Sequence, residues 1–246
     1  MTESRSALTR RDFLRLGVVA GPASLVAACG WDGGPAIEPG LRSFSRLNDW
    51  VGENILQSRT RLARQYPVSA RTQMENFPAY SISYNRTGAF PEPPDPAAWS
   101  LSVGGLVRKP LRLTRRDIEA LPSVTYTVKH HCVEGWTAVA TWTGVPVSTI
   151  MAMTQPTDAA RYIRFDSFDD NYSNGWDLKS AVHPQTILAY AYNDRPLMMN
   201  HGAPLRLYSP IKLGYKLTKY LTGMTFTRER PGGYWEDQGY PWLGGI

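Results

Sequence analysis

The sequence predicts a mixed α+β fold, with short strands in mixed sheets and a few short helices. Three observations carry that expectation. Short segments alternate apolar and polar residues at period two, as in VTYTVKHHC (124–132) and RYIRFDSF (161–168). The 19 prolines and 21 glycines punctuate the chain often enough to keep most elements short. No internal repeat or heptad pattern is present. With 42% hydrophobic and 20% charged residues in 246, the chain can bury one sizeable core.

The elements follow in order. TRRDFLRLGVVAGPASLVAAC (9–29) places Arg10 and Arg11 ahead of a 13-residue apolar run, Leu16–Ala28. That run is too short for a membrane-spanning helix and contains Gly17, Gly21 and Pro22, so residues 1–28 read as an export signal of twin-arginine type. Such a signal predicts delivery to the periplasm by the twin-arginine translocation machinery. Leu25–Cys29 resembles a lipoprotein cleavage box that would leave Cys29 acylated and the chain membrane-tethered; an ordinary small-residue peptidase site fits the same letters. Residues 29–46, with Gly33-Gly34-Pro35 and Pro39-Gly40, read as a flexible tether. Residues 47–246 read as one domain.

From an N-cap at Asn48, the spacing of Trp50, Val51, Ile55 and Leu62 predicts an amphipathic helix to about Gln65. PEPPDPAAW (91–99) is a loop, and SLSVGGLVRKPLRLT (100–114) alternates as strands do. Thr114 and Asp117 form a capping-box pattern opening a short helix, RRDIEAL, closed by Pro122. In VTYTVKHHC, Tyr126, Val128, His130 and Cys132 share one strand face. GVPVSTIMAM (144–153) predicts a loop and one or two helical turns. AVHPQTILAYAYN (181–193) predicts a helix after His183-Pro184, and strands follow in APLRLYSP (203–210) and YLTGMTFTRE (220–229).

The formal charge of +6 falls to about +4 without residues 1–28, which is no nucleic-acid footprint. The two cysteines, Cys29 and Cys132, would leave one thiol free in an exported, lipidated protein, so Cys132 needs burial or a bound metal to persist. Four readings of Cys132 compete. It could be a small buried hydrophobe. A zinc site lacks ligand spacing. A Cys–His nucleophile could use His130, although strand neighbours aim poorly at each other. A single thiolate could hold a metal whose other ligands come from an organic dithiolene.

The run HCVEGW-x₅-WTGVPV (131–147) resembles the molybdenum-binding segment of the sulfite oxidase family. It is most similar to the branch of periplasmic methionine sulfoxide reductase catalytic subunits. AVHPQTILAYAYNDRPLMMNHGAPLRL (181–207) and GYKLTKYLTGMTF (214–226) resemble later segments of that family in the same order, so the likeness covers about residues 76–230. The resemblance implies a sulfite-oxidase-type fold holding one molybdenum in a molybdopterin. It implies Cys132 as the metal ligand and catalytic centre, and Tyr172 as a second catalytic residue beside the metal. Ser83, Asn85, Ser167, His201 and Arg206 would contact the cofactor, with Lys216 and Lys219 at its phosphate end. His183 reads as structural.

Two departures bear on substrate. Val133-Glu134-Gly135-Trp136 stands where sulfite oxidases carry a basic stretch, so a carboxylate approaches the metal and small oxyanions are disfavoured. Leu217-Thr218 and His201 also differ from the sulfoxide reductase pattern. The expected activity is oxygen-atom transfer, as sulfoxide or N-oxide reduction on a small or peptide-borne substrate. Sulfite oxidase-like oxidation of a small anion, a non-catalytic lipid-anchored binding protein and a Cys132 hydrolase are the alternatives. No C-x-x-C-H haem motif is present, so electrons would come from a separate partner, a membrane haem subunit or a cytochrome c. Sulfite oxidases continue into a dimerisation domain where this chain ends, which favours a monomer.

Overall fold

The computed structural model describes residues 47, 49–52, 61–73, 76–95, 97–169 and 171–246. Asp49–Ile246 forms one compact unit, and Leu47 belongs to the unit before it. The signal, the tether and Cys29 lie outside the described residues.

Among the described residues, ten strands form two sheets. One has the order β2-β1-β10-β5-β6, built from β1 (Leu101–Gly105), β2 (Leu111–Leu113), β5 (Tyr162–Ser167), β6 (Ser173–Asp177) and β10 (Leu221–Thr227). The other has the order β3-β4-β7-β8, built from β3 (Val124–His131), β4 (Thr137–Pro146), β7 (Ile187–Tyr192) and β8 (Arg195–Pro196); β9 (Arg206–Tyr208) pairs with β7. Among these strands β1 and β10 run parallel, and the other pairings are antiparallel. Among the described residues after Asn76 lie four short α-helices: α1 (Ile82–Thr87), α2 (Arg115–Glu119), α3 (Val147–Thr154) and α4 (Leu178–Ala181).

Local chemistry explains these boundaries. In α2 the Thr114 hydroxyl accepts from Asp117 N while the Asp117 carboxylate accepts from Thr114 N, so both ends of the expected capping box are made. The period-two pattern of 124–131 becomes β3, in register with β4 from Val124↔Gly144 to His131↔Thr137. The core between the elements includes Trp142, Trp176, Phe165, Tyr208 and Leu207, all essentially inaccessible. Each large aromatic there contributes on the order of 3 kcal/mol.

Three sequence expectations are corrected. Residues 187–192 are strand β7, not helix: ILAYAY is a short apolar run that pairs with β4, β8 and β9, and such runs look alike by periodicity whether helical or extended. Gly144–Pro146 is the end of β4 rather than a loop. Gly144 sits at a register shift where a Cβ would stand 2.1 Å from Leu188 O, so glycine permits the β4–β7 contact. The helix expected to run to Gln65 does not reach that residue, because Gln65 bridges Val128 on β3.

Candidate active site

One cleft of about 300 Å³ opens where β3 and β5 end. β3 delivers His130 and then Cys132, and the turn to β4 is closed by Cys132 N donating to Trp136 O (3.0 Å) and Gly135 N donating to Cys132 O (3.1 Å). Gly135 has φ +91°, which only glycine adopts without strain. Cys132 is half-buried on the cleft wall. The Glu134 carboxylate faces it: Oε2 lies 3.7 Å from Cys132 Sγ and accepts from Trp136 Nε1 at 2.9 Å.

Burial pushes the Cys132 thiol pKa up. A cysteine nucleophile requires the opposite shift, so the hydrolase reading loses its chemistry. A cation bound at the sulfur is what would hold it as thiolate. Among the described residues no three His, Cys, Asp or Glu side chains gather as a metal cage, which leaves no zinc site of that kind there.

The end of β5 supplies Ser167, and the loop after it supplies Asp169 and Tyr172. Asp169 is 3% exposed and accepts from Ile82 N (2.8 Å), Ser83 N (2.9 Å) and Ser83 Oγ (2.5 Å). Those bonds pin the start of α1 to the β5 loop and bring Asn85 to the cleft. Ser83 itself is spent on Asp169 and does not line the cavity. Ser167 lines it, and its Oγ accepts from Asp169 N at 2.9 Å. Tyr172 lines it too, but its hydroxyl donates to Tyr215 O and accepts from Asn174 Nδ2 at 3.3 Å. Burial raises the Tyr172 phenol further, so it acts as a hydrogen-bonding group rather than a proton source near neutrality.

On the far wall, His201 is 1% exposed with Nδ1 unpartnered, and its ring lies 5.2 Å from Phe77. Burial, then Lys219 and Arg206, lower its pKa to about 3. His130 is held well below its ordinary value by burial and the same two cations, and its Nδ1 also lacks a partner. Both are neutral imidazoles with an open ring nitrogen. Arg206 is 2% exposed; it donates to His201 O at 2.9 Å and stacks 4.8 Å over Trp142, with Nε unpartnered. Burial lowers it to about 10, which leaves it charged at neutral pH. Lys219 Nζ donates to Tyr80 O (2.7 Å) and Asn200 O (2.8 Å). Among the described residues neither Arg206 nor Lys219 has a carboxylate within ion-pairing distance.

Lys216 differs from Lys219. It is fully buried, donates to Gly175 O at 2.8 Å, pairs with Glu236, and does not line the cleft. The short 3-10 turn Gly214–Lys216 ends at Leu217, so the two lysines leave the backbone toward different neighbours.

Sequence reasoning missed Asp169, Phe77, Trp136, Tyr215, Trp235 and Tyr240 as cleft residues. Only the acidic pair after FDSF could have flagged Asp169, and nothing in the sequence flagged the C-terminal aromatics.

A buried arginine and a half-buried lysine without carboxylates call for an anion. Buried imidazoles with open nitrogens call for a polar heterocycle, and a lone soft thiol on the wall suits a metal ligated mainly from elsewhere. That donor set fits a molybdopterin: Cys132 would meet the metal, His130, His201 and Ser167 the pterin, and Arg206 and Lys219 the phosphate.

Comparison with known proteins agrees. The oxidoreductase molybdopterin-binding domain matches residues 87–235. A protein of Azospira oryzae named for a protein-methionine-sulfoxide reductase subunit, YedZ1, is 38% identical over 96% of this chain and 87% of its own length. The protein-methionine-sulfoxide reductase catalytic subunit MsrP of Campylobacter jejuni is 27% identical over 92% of this chain and 76% of its own. The sulfane dehydrogenase SoxCD of Paracoccus pantotrophus shares the fold, with a TM-score of 0.54 at 20% identity; the likeness covers 56% of this chain and 40% of that one.

Proposed function

Because the chain belongs to the oxidoreductase molybdopterin-binding domain family and is a molybdenum-dependent oxidoreductase, we propose that it reduces sulfoxides. The observation that carries this reading is the Glu134 carboxylate 3.7 Å from Cys132 Sγ, held in place by Trp136. A fixed negative charge there repels sulfite and other small oxyanions and tolerates a neutral sulfoxide. Relatives named for protein-methionine-sulfoxide reductase support the same substrate class.

When bound, the molybdenum cofactor supplies the two-electron redox step. Overall, two electrons and two protons break the sulfur–oxygen bond, giving a thioether and water. Cys132 ligates the metal, and Arg206 and Lys219 neutralise the cofactor's phosphate. His130 and His201 orient its heterocycle as neutral hydrogen-bonding groups, while Tyr172, tied to Tyr215 O, keeps the wall rigid.

The electrons come from a separate partner, a membrane haem subunit or a cytochrome c. The chain works in the periplasm, exported by the twin-arginine route through Arg10-Arg11 and tethered through Cys29. The test is oxidation of reduced methyl viologen by the holoprotein. Turnover with methionine sulfoxide and none of sulfite with ferricyanide is expected; sulfite oxidation without sulfoxide reduction overturns the proposal.

A further inference from the structure

The segment after β10 returns across the molecule and is pinned from beneath. Glu236 pairs with the buried Lys216, Lys212 Nζ donates to Leu243 O (2.6 Å), and Tyr215 Oη donates to Pro241 O (2.6 Å). These anchors fix Trp235 and Tyr240 on the cleft, both half-buried and accessible from solvent. The Tyr240 ring lies 5.3 Å from Tyr215 and 5.0 Å from Trp235, so the three rings form one continuous uncharged wall.

The wall lines the same cleft as Cys132. Tyr215 follows Gly214, where a Cβ would lie only 3.1 Å from His130 Nε2, and His130 stands two residues before Cys132. The anion-binding side chains Arg206 and Lys219 belong to the cofactor, and the fixed Glu134 charge disfavours an anionic substrate. None of the described cofactor contacts needs the tail aromatics.

We propose that Trp235 and Tyr240, backed by Tyr215, are the substrate-binding wall of the cleft and take the S-methyl arm of a neutral dialkyl sulfoxide. The inference rests on the sulfoxide reading and names which residues select that substrate. Carbon next to a sulfoxide sulfur carries partial positive charge, so its C–H groups favour aromatic faces, and packing the methyl and methylenes there also removes apolar surface from water. Sulfur itself is polarisable enough to add a contact at a ring edge. An aromatic wall reached from solvent also admits a sulfoxide attached to a peptide.

The test is calorimetric titration of molybdenum-loaded protein with N-acetylmethionine sulfone N-methylamide, a neutral, redox-inert mimic, alongside KM for the matching sulfoxide amide. Trp235→Ala is expected to weaken sulfone binding and raise KM by roughly tenfold, the loss of about 1.4 kcal/mol of aromatic contact. Trp235→Phe, which keeps a ring to hold the segment, is expected to stay within about threefold, and Tyr240→Ala to fall between them. Unchanged molybdenum content and melting temperature in Trp235→Phe show that the wall is still in place. Binding within twofold of wild type in both alanine variants overturns the proposal, and so does a wild type that does not bind the sulfone. A wild type that binds the sulfone through Trp235 yet reduces no sulfoxide overturns the proposed reaction and leaves the wall standing.

Discussion

Replacing Glu236 with Gln strands the Lys216 ammonium in the interior. The two side chains are 4% and 1% exposed, and without the carboxylate Lys216 keeps Gly175 O at 2.8 Å and the Trp242 ring at 5.1 Å. Breaking one half of a buried pair costs about 3–5 kcal/mol. Deprotonation caps that figure: taking an amine of ordinary pKa 10.5 to neutrality at pH 7 requires about 1.4 kcal/mol per unit, near 5 kcal/mol in all. At about 2–4 °C per kcal/mol for a domain this size, Glu236→Gln should lower the melting temperature by roughly 6–20 °C. The double variant Lys216→Met with Glu236→Leu removes both charges and should recover most of that loss. It should also retain molybdenum, because Lys216 does not reach the cleft. Scanning calorimetry and metal analysis on the purified holoproteins decide the matter. A single variant melting within 2 °C of wild type refutes the buried-pair reasoning; a folded double variant that loses its molybdenum returns Lys216 to the cofactor.

The same pair predicts a pH signature. Lys216 is lowered by burial to about 8 in the folded state against 10.5 when unfolded, so the unfolded chain binds more protons between those values. Stability of wild type relative to the double variant should therefore be flat below pH 8 and rise toward pH 10.5; a fall over that range refutes it. Arg206→Met removes a buried cation that has no carboxylate. Cofactor-free protein should melt no lower than wild type, while molybdenum retained on purification should drop by roughly tenfold, and a destabilised apo-protein with full metal refutes the assignment. Asp169→Ala forfeits three bonds to a buried carboxylate, together about 3 kcal/mol, and should expose the Ile82 and Ser83 amides to hydrogen exchange; unchanged protection refutes its anchoring role.

Much of this architecture is legible in the letters because local and tertiary preferences agree. Thr114 and Asp117 announce a helix start wherever they fold, and 124–131 alternates because one face of β3 is buried. ILAYAY is illegible for the opposite reason: an apolar run of six residues carries no period, and only its pairing with β4 and β9 makes it extended. Within the site, Cys132 is legible because a lone thiol among aromatics and a carboxylate is chemically odd. Lys216 and Lys219 are three residues apart and look equivalent, yet one neutralises Glu236 and the other reaches the cleft. Asp169, Trp235 and Tyr240 are ordinary letters whose importance comes from long-range placement, since each meets the cleft only after the β5 loop or the tail has folded back.

The sulfur of Cys132 is the point on which the chemistry turns. X-ray absorption at the molybdenum edge of the holoprotein, compared with a Cys132→Ser holoprotein that still carries pterin, tests it directly. The account predicts one more sulfur scatterer at the molybdenum in wild type than in the variant, where only the dithiolene sulfurs remain, with turnover abolished. Identical spectra from the two proteins contradict it.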